Sequence, residues 1–154
     1  VSPANADPER TYLNKEFIKF PDGVDNRTQA IQHRIENSGI KRKISHNQVR
    51  ALQIMLSGTP EDMQRIQNTG KLDEWCKDNI EWLQDTFGKD NLVSAVLHLD
   101  EKTPHFHLTL TPILEKRLTA KTFFTPENAR AWQDDFHNVL FKSCLQSVHL
   151  SKYC

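Results

Sequence analysis

The chain has 154 residues, and its 20 Lys plus Arg are balanced by 20 Asp plus Glu, so the formal charge is zero. That balance excludes a uniformly basic nucleic-acid coat and a polyacidic solvating tail, and no apolar run approaches the roughly 18 residues of a membrane span. The three cysteines, Cys76, Cys144 and Cys154, lie at long spacings that fit neither a disulfide framework nor a cysteine zinc site, so a reducing cytoplasm is the expected compartment.

The length suits one domain with its own core. Residues 1–9 are polar and proline-rich and read as an extended lead-in. From Thr11 to Phe20 the residues alternate, Leu13, Phe17 and Lys19 against Tyr12, Asn14, Glu16, Ile18 and Phe20, which predicts a strand ended by the Pro21-Asp22-Gly23 turn. Asn26 or Asp25 caps a helix to about Asn37, with Ala30, Ile31, Arg34 and Ile35 at helical spacing and Gly39 as its stop. Residues 41–47 form a basic loop. Residues 48–57 fit a strand or a helix, and strand is preferred because Gly58-Thr59-Pro60 closes the run early and Thr59 opens a fresh helix. Leu72, Trp75, Cys76, Ile80, Leu83 and Phe87 predict an amphipathic helix from 71 to 87 that Gly88 stops. Thr125-Pro126-Glu127 opens a last helix with Ala129, Trp132, Phe136, Val139 and Leu140 as its apolar stripe. Both stripes read as helix-to-sheet core.

Residues 91–114, NLVSAVLHLDEKTPHFHLTLTPIL, carry the chemistry. Two alternating runs flank Asp100-Glu101-Lys102-Thr103-Pro104, which predicts an antiparallel hairpin. Laying Val93, Ala95 and Leu97 beside Phe106, Leu108 and Leu110 matches the apolar sets. The same register puts His98, His105 and His107 on one face. Three imidazoles there can supply three nitrogen ligands to one divalent ion and leave positions open for water or substrate, as in catalytic sites. Glu101, in the turn, can accept the second N–H of a ligating ring. His33, His46, His137 and His149 are scattered and read as ordinary surface or core histidines.

The string from His98 to His107 resembles the H-x-D-E-x-T-P-H-x-H signature of the MobV-type relaxases, the Pre/Mob plasmid mobilisation and recombination proteins. Residues Asp7 to Asn14 resemble that family's D-P-x-R-S-H-L-N segment, and Arg117 to Lys121 resemble its L-S-x-K segment, so the likeness spans nearly the whole chain in family order. The resemblance implies an α/β (α+β) fold, an antiparallel sheet flanked by helices and related to rolling-circle replication nucleases. It implies an endonuclease that nicks one strand of plasmid DNA at a transfer origin, holds it through a covalent phosphoryl bond and religates it. His98, His105 and His107 would be ligands of a divalent ion, Mn2+ or Mg2+, with Zn2+ or another divalent ion able to occupy the site in crystals. Glu101 would be their acidic partner, and Arg10, Asn14 and Lys121 would lie near the DNA, which would be single-stranded or hairpin origin DNA. No membrane partner is expected.

One family feature is missing from these residues. The nucleophile of many members is a histidine in an H-N-x-R motif upstream of the D-P-x-R segment, whereas this sequence starts at Val1, six residues before Asp7. The expectation is therefore a relaxase catalytic domain over residues 1–154 that lacks its first element and a C-terminal region, with impaired cleavage. Tyr12, standing where the family usually has His, is a second candidate nucleophile, since a phenolate can attack phosphorus. A non-catalytic remnant that keeps metal and DNA binding is the alternative, and a small-molecule hydrolase using the same three histidines is a third reading.

Zero net charge conceals segregation. Residues 10–50 hold nine Lys/Arg against four acids, and residues 59–90 hold four against eight. The basic half contains Lys41-Arg42-Lys43, a candidate phosphate clamp.

Overall fold

The computed structural model describes residues 8–141 and 147–153. Its elements in chain order are β1 (Lys15–Glu16), α1 (Arg27–Glu36), β2 (Ala51–Ser57), α2 (Pro60–Asn68), α3 (Leu72–Phe87), β3 (Leu92–His98), β4 (His105–Leu110), β5 (Ile113–Leu114), β6 (Arg117–Leu118), α4 (Ala120–Phe123), α5 (Pro126–Phe141) and β7 (Ser147–Tyr153). Short 3-10 turns cover Pro8–Leu13 and Lys89–Asn91. Five strands form one antiparallel sheet in the order β1-β3-β4-β2-β7, and β5 and β6 make a separate small hairpin.

Local chemistry sets the helix ends. The Asn26 side chain accepts the Gln29 N–H at the start of α1, and Thr59 accepts the Asp62 N–H at the start of α2, with Pro60 in the first turn. Gly88, at φ 97°, ends α3 in a backbone conformation that L residues rarely adopt. No helix among the described residues is long and apolar enough to cross a membrane.

One face of the sheet carries Leu52, Ile54 and Leu56 of β2, Ala95 and Leu97 of β3, and Phe106, Leu108 and Leu110 of β4. Met63 and Ile66 of α2 and Trp75, Cys76, Leu83 and Phe87 of α3 pack onto it to form the main core. Trp75 and Phe106 meet with ring centroids 5.9 Å apart. Burying a side chain of this size contributes about 1.5–3 kcal/mol, so this layer dominates the stability of the fold. Further along, Phe87, Phe124 and Trp132 stack into an aromatic cluster that seats α5. Of the stripe expected on α5, the side chains of Phe136, Val139 and Leu140 lie outside the described residues.

Two expectations are corrected. The strand expected over Thr11–Phe20 is instead a 3-10 turn followed by the two-residue β1. Side-chain oxygens have taken over the hydrogen bonding there. Glu16 accepts the N–H groups of Ile18 and Ala95 and the hydroxyl of Ser94, and Asn14 accepts the Leu99 N–H. The hairpin register is as expected at Ala95 opposite Leu108 and Leu97 opposite Phe106, but it slips between Leu92 and Ser94, so that Leu92, not Val93, faces Leu110. An extra residue in one strand is a β-bulge, and the Glu16 carboxylate clamps its exit through Ser94 and Ala95. The hairpin β5–β6, the short α4 and the edge strand β7 were not anticipated.

Candidate metal centre

The second face of the sheet is the one that matters for chemistry. Opposite pairing of His98 with His105 and of Val96 with His107 puts the three histidines side by side on it, as the alternation predicts. The ring centroids of His98 and His107 are 4.3 Å apart, and those of His105 and His107 are 6.2 Å apart. All three rings are half-buried.

Each ring is met by a different oxygen-bearing side chain. Glu101 Oε2 lies 2.9 Å from His105 Nε2. Asp100 Oδ1 lies 3.7 Å from His98 Nδ1, too far for a hydrogen bond but close enough for attraction. The carboxamide of Gln53, on β2, lies 3.0 Å from His107 Nδ1. Glu101 was legible in the sequence, whereas Asp100 and Gln53 were not. Gln53 is remote from the motif in sequence and reaches it only because β2 pairs with β4.

Burial and neighbouring charge lower the proton affinity of two of the three rings, His107 and His98. Burial, followed by the neighbouring His98 and His105, pushes His107 down to about 4. His98 is likewise lowered, again by burial first, although Asp100 and Glu101 oppose the shift. Arg27, the first residue of α1, contributes to the lowering of both rings, so its positive charge stands close to this face. Sequence reasoning did not single it out.

Among the described residues no three His, Cys, Asp or Glu side chains are drawn together tightly enough to hold an ion as they stand. The donor chemistry nevertheless fits a divalent cation. Neutral imidazoles are the form that ligates metals, and His105 Nδ1 is a buried ring nitrogen with no hydrogen-bond partner. The strand register aligns the three backbones on one face of the hairpin.

The other expected site residues are spread out. Arg10 is exposed on the first 3-10 turn, and the side chain of Tyr12 lies outside the described residues. Asn14 uses its oxygen on the Leu99 N–H at 2.8 Å, tying that segment to the residue after His98. Lys41, Arg42 and Lys43 are exposed, while Ile40 and Ile44 on either side anchor the loop to Ile35, Ile113 and Leu118. That anchorage places the loop beside β5 and β6, which follow the far end of β4 from His105. Five steps of about 3.3 Å separate the two ends of β4, roughly 17 Å. Lys121 is exposed in α4, next along the chain from β6.

A family model described as plasmid recombination enzyme, Mob_Pre, matches residues 2–147. The plasmid recombination enzyme type 3 of Staphylococcus aureus is 34% identical over 136 residues, which is 85% of this chain and 32% of that protein. A plasmid recombination enzyme of Bacillus thuringiensis is 30% identical over 125 residues, 80% of this chain and 26% of that protein. The chain thus spans about a third or less of the length of these curated relatives. In fold it is similar to the MobM relaxase domain solved with Mn and plasmid pMV158 oriT DNA, with a TM-score of 0.81 at 21% identity over 94% of this chain and 76% of that one. With a family model that matches nearly its full length, the chain belongs to the Mob/Pre family of plasmid recombination enzymes.

Proposed function

We propose that this chain is a relaxase catalytic domain that binds single-stranded origin DNA of a plasmid and transfers its phosphoryl group with the help of a divalent ion. The observation that carries the reading is the three-histidine face, with an oxygen-bearing side chain at each ring. The similar MobM domain was solved with Mn and origin DNA, which supports Mn2+ as the ion to test first and origin DNA as the partner.

His98, His105 and His107 would hold the ion, and Glu101 would orient His105 from its outer side. When bound, a divalent cation polarises the non-bridging oxygens of a phosphodiester and offsets the charge that develops on them. Arg27 supplies fixed positive charge at the same face. Arg10 and Asn14 would meet the DNA near the histidines, and Lys41, Arg42, Lys43 and Lys121 would follow its backbone away from them, with the basic loop roughly 17 Å distant along the strand direction.

For the nucleophile, two sources compete: the Tyr12 phenol and a histidine supplied from an upstream H-N-x-R segment. Calorimetry with Mn2+ on this chain and on His105→Ala tests the centre, and equal binding by both, or binding by neither, rejects it. Incubating supercoiled plasmid carrying the cognate origin with this chain, with Tyr12→Phe and with a version extended upstream tests the nucleophile. Relaxation by the extended version alone favours the histidine. Relaxation by this chain that Tyr12→Phe abolishes favours the phenol. Binding of origin DNA without relaxation by any version favours a non-catalytic remnant.

A further inference from the structure

Gln53 stands on β2 opposite Thr109, and Met55, two residues on, is the one paired with His107. The Gln53 side chain therefore reaches diagonally across the strand pair, within the range over which long side chains meet. Its terminal amide comes to 3.0 Å from His107 Nδ1. The two ends of a carboxamide interchange by a half-turn about the last torsion, so the contact is the observation, whichever end makes it.

An imidazole that gives one lone pair to a cation carries its single proton on the other nitrogen, and that proton needs an acceptor. The rings of His98 and His105 face carboxylates, Asp100 at 3.7 Å and Glu101 at 2.9 Å. His107 is met by a neutral amide. We propose that Gln53 is a positioning residue of this centre: its carboxamide oxygen takes the Nδ1–H of His107 and leaves Nε2 as the nitrogen with the free lone pair. The proposal rests on the reading of His98, His105 and His107 as ligands. It adds that the third ligand is selected by a residue outside the H-x-D-E-x-T-P-H-x-H string, one that adds no negative charge of its own to the site.

Removing the amide would leave a half-buried Nδ1–H without an acceptor. The proton then moves to Nε2, the nitrogen otherwise free to bind metal. The test reads the ring nitrogens of His107 by NMR in the metal-free protein, for the wild type, Gln53→Leu and Gln53→Glu, and measures Mn2+ affinity of the same samples by calorimetry. The wild type is expected in the Nδ1–H form. Gln53→Leu should pass mainly to Nε2–H and lose about 10- to 100-fold in Mn2+ affinity, the usual effect of deleting an outer partner of a ligand. Gln53→Glu, which keeps an acceptor, should restore both. An Nε2–H wild type overturns the proposal by itself, so the test does not depend on a variant folding. Unchanged tautomer and affinity in Gln53→Leu also overturn it while leaving the three-histidine centre standing. Absence of Mn2+ binding by the wild type removes the ligand reading and this role together.

Discussion

The side-chain oxygen of Asn14 accepts the Leu99 N–H at 2.8 Å, binding the N-terminal segment to the residue that immediately follows His98. Replacing it by Ala leaves a partly buried backbone donor without its partner, at a cost of about 1 kcal/mol. For a domain of this size that corresponds to a fall in Tm of roughly 2–4 °C, measurable by calorimetry. An unchanged Tm would mean that water replaces the asparagine without loss.

The lowered proton affinities of His107 and His98 make stability depend on pH in a defined direction. In the unfolded chain both rings take up protons near the ordinary histidine value of 6.5, whereas folded His107 resists until about 4. Between those values the unfolded state binds more protons, so stability is complete above about 6.5 and falls as the pH drops toward 4. Allowing for solvent screening of half-buried rings, the loss is on the order of 1–2 kcal/mol. Urea unfolding at a series of pH values reads it directly, and in His107→Gln the slope should be shallower.

The hairpin and its three-histidine face were legible because strand alternation and the need to match apolar sets leave few registers. The single departure, at Leu92, arises from a clamp that no local pattern announces: Glu16, nearly eighty residues away in sequence, accepts from Ser94 and Ala95. The same limit hid Gln53 and Arg27. Both act across strand or helix packing, so nothing in their immediate neighbours marks them. The segment from Thr11 to Phe20 misled for another reason, since its alternation is real but Asn14 and Glu16 spend their side chains on hydrogen bonds that a longer strand would have made through its backbone.

Glu101 Oε2 lies 2.9 Å from His105 Nε2, closer than Asp100 comes to His98 at 3.7 Å. Glu101→Gln keeps a hydrogen-bonding group and removes the charge, whereas Glu101→Ala removes both. If the carboxylate orients and polarises His105, Mn2+ affinity should fall by about tenfold in the first and by up to about 100-fold in the second. Equal affinities across the series would assign Glu101 to the stability of the turn instead.

Cys76 lies fully buried among the core residues of α3, and burial, reinforced by Asp73, pushes its thiol up to about 12. The thiolate is the reactive form, so the native protein should leave Cys76 unlabelled by iodoacetamide at neutral pH, and denaturant should expose it. Peptide mapping by mass spectrometry separates it from Cys144 and Cys154. Rapid native labelling of Cys76 would show that α3 does not stay packed on the sheet.

The charge segregation along the chain gives the final test. Residues 10–50 are basic while the chain as a whole is neutral, so the proposed DNA binding would rest on local cations and not on net charge. Lys41, Arg42 and Lys43 are exposed on a loop held by Ile40 and Ile44, which lets them be replaced by Ala without disturbing the cluster beneath. Each phosphate contact made with single-stranded DNA contributes about 0.7 to the slope of log affinity against log salt. The triple replacement should flatten that slope by as much as about 2 and weaken binding uniformly across sequences, with Mn2+ affinity unchanged. Fluorescence anisotropy with an origin strand and a scrambled strand at several salt concentrations separates the possibilities. A slope identical to the wild type would move the backbone contacts elsewhere, to Arg10 and Arg27, and confine the DNA to the histidine end of the sheet.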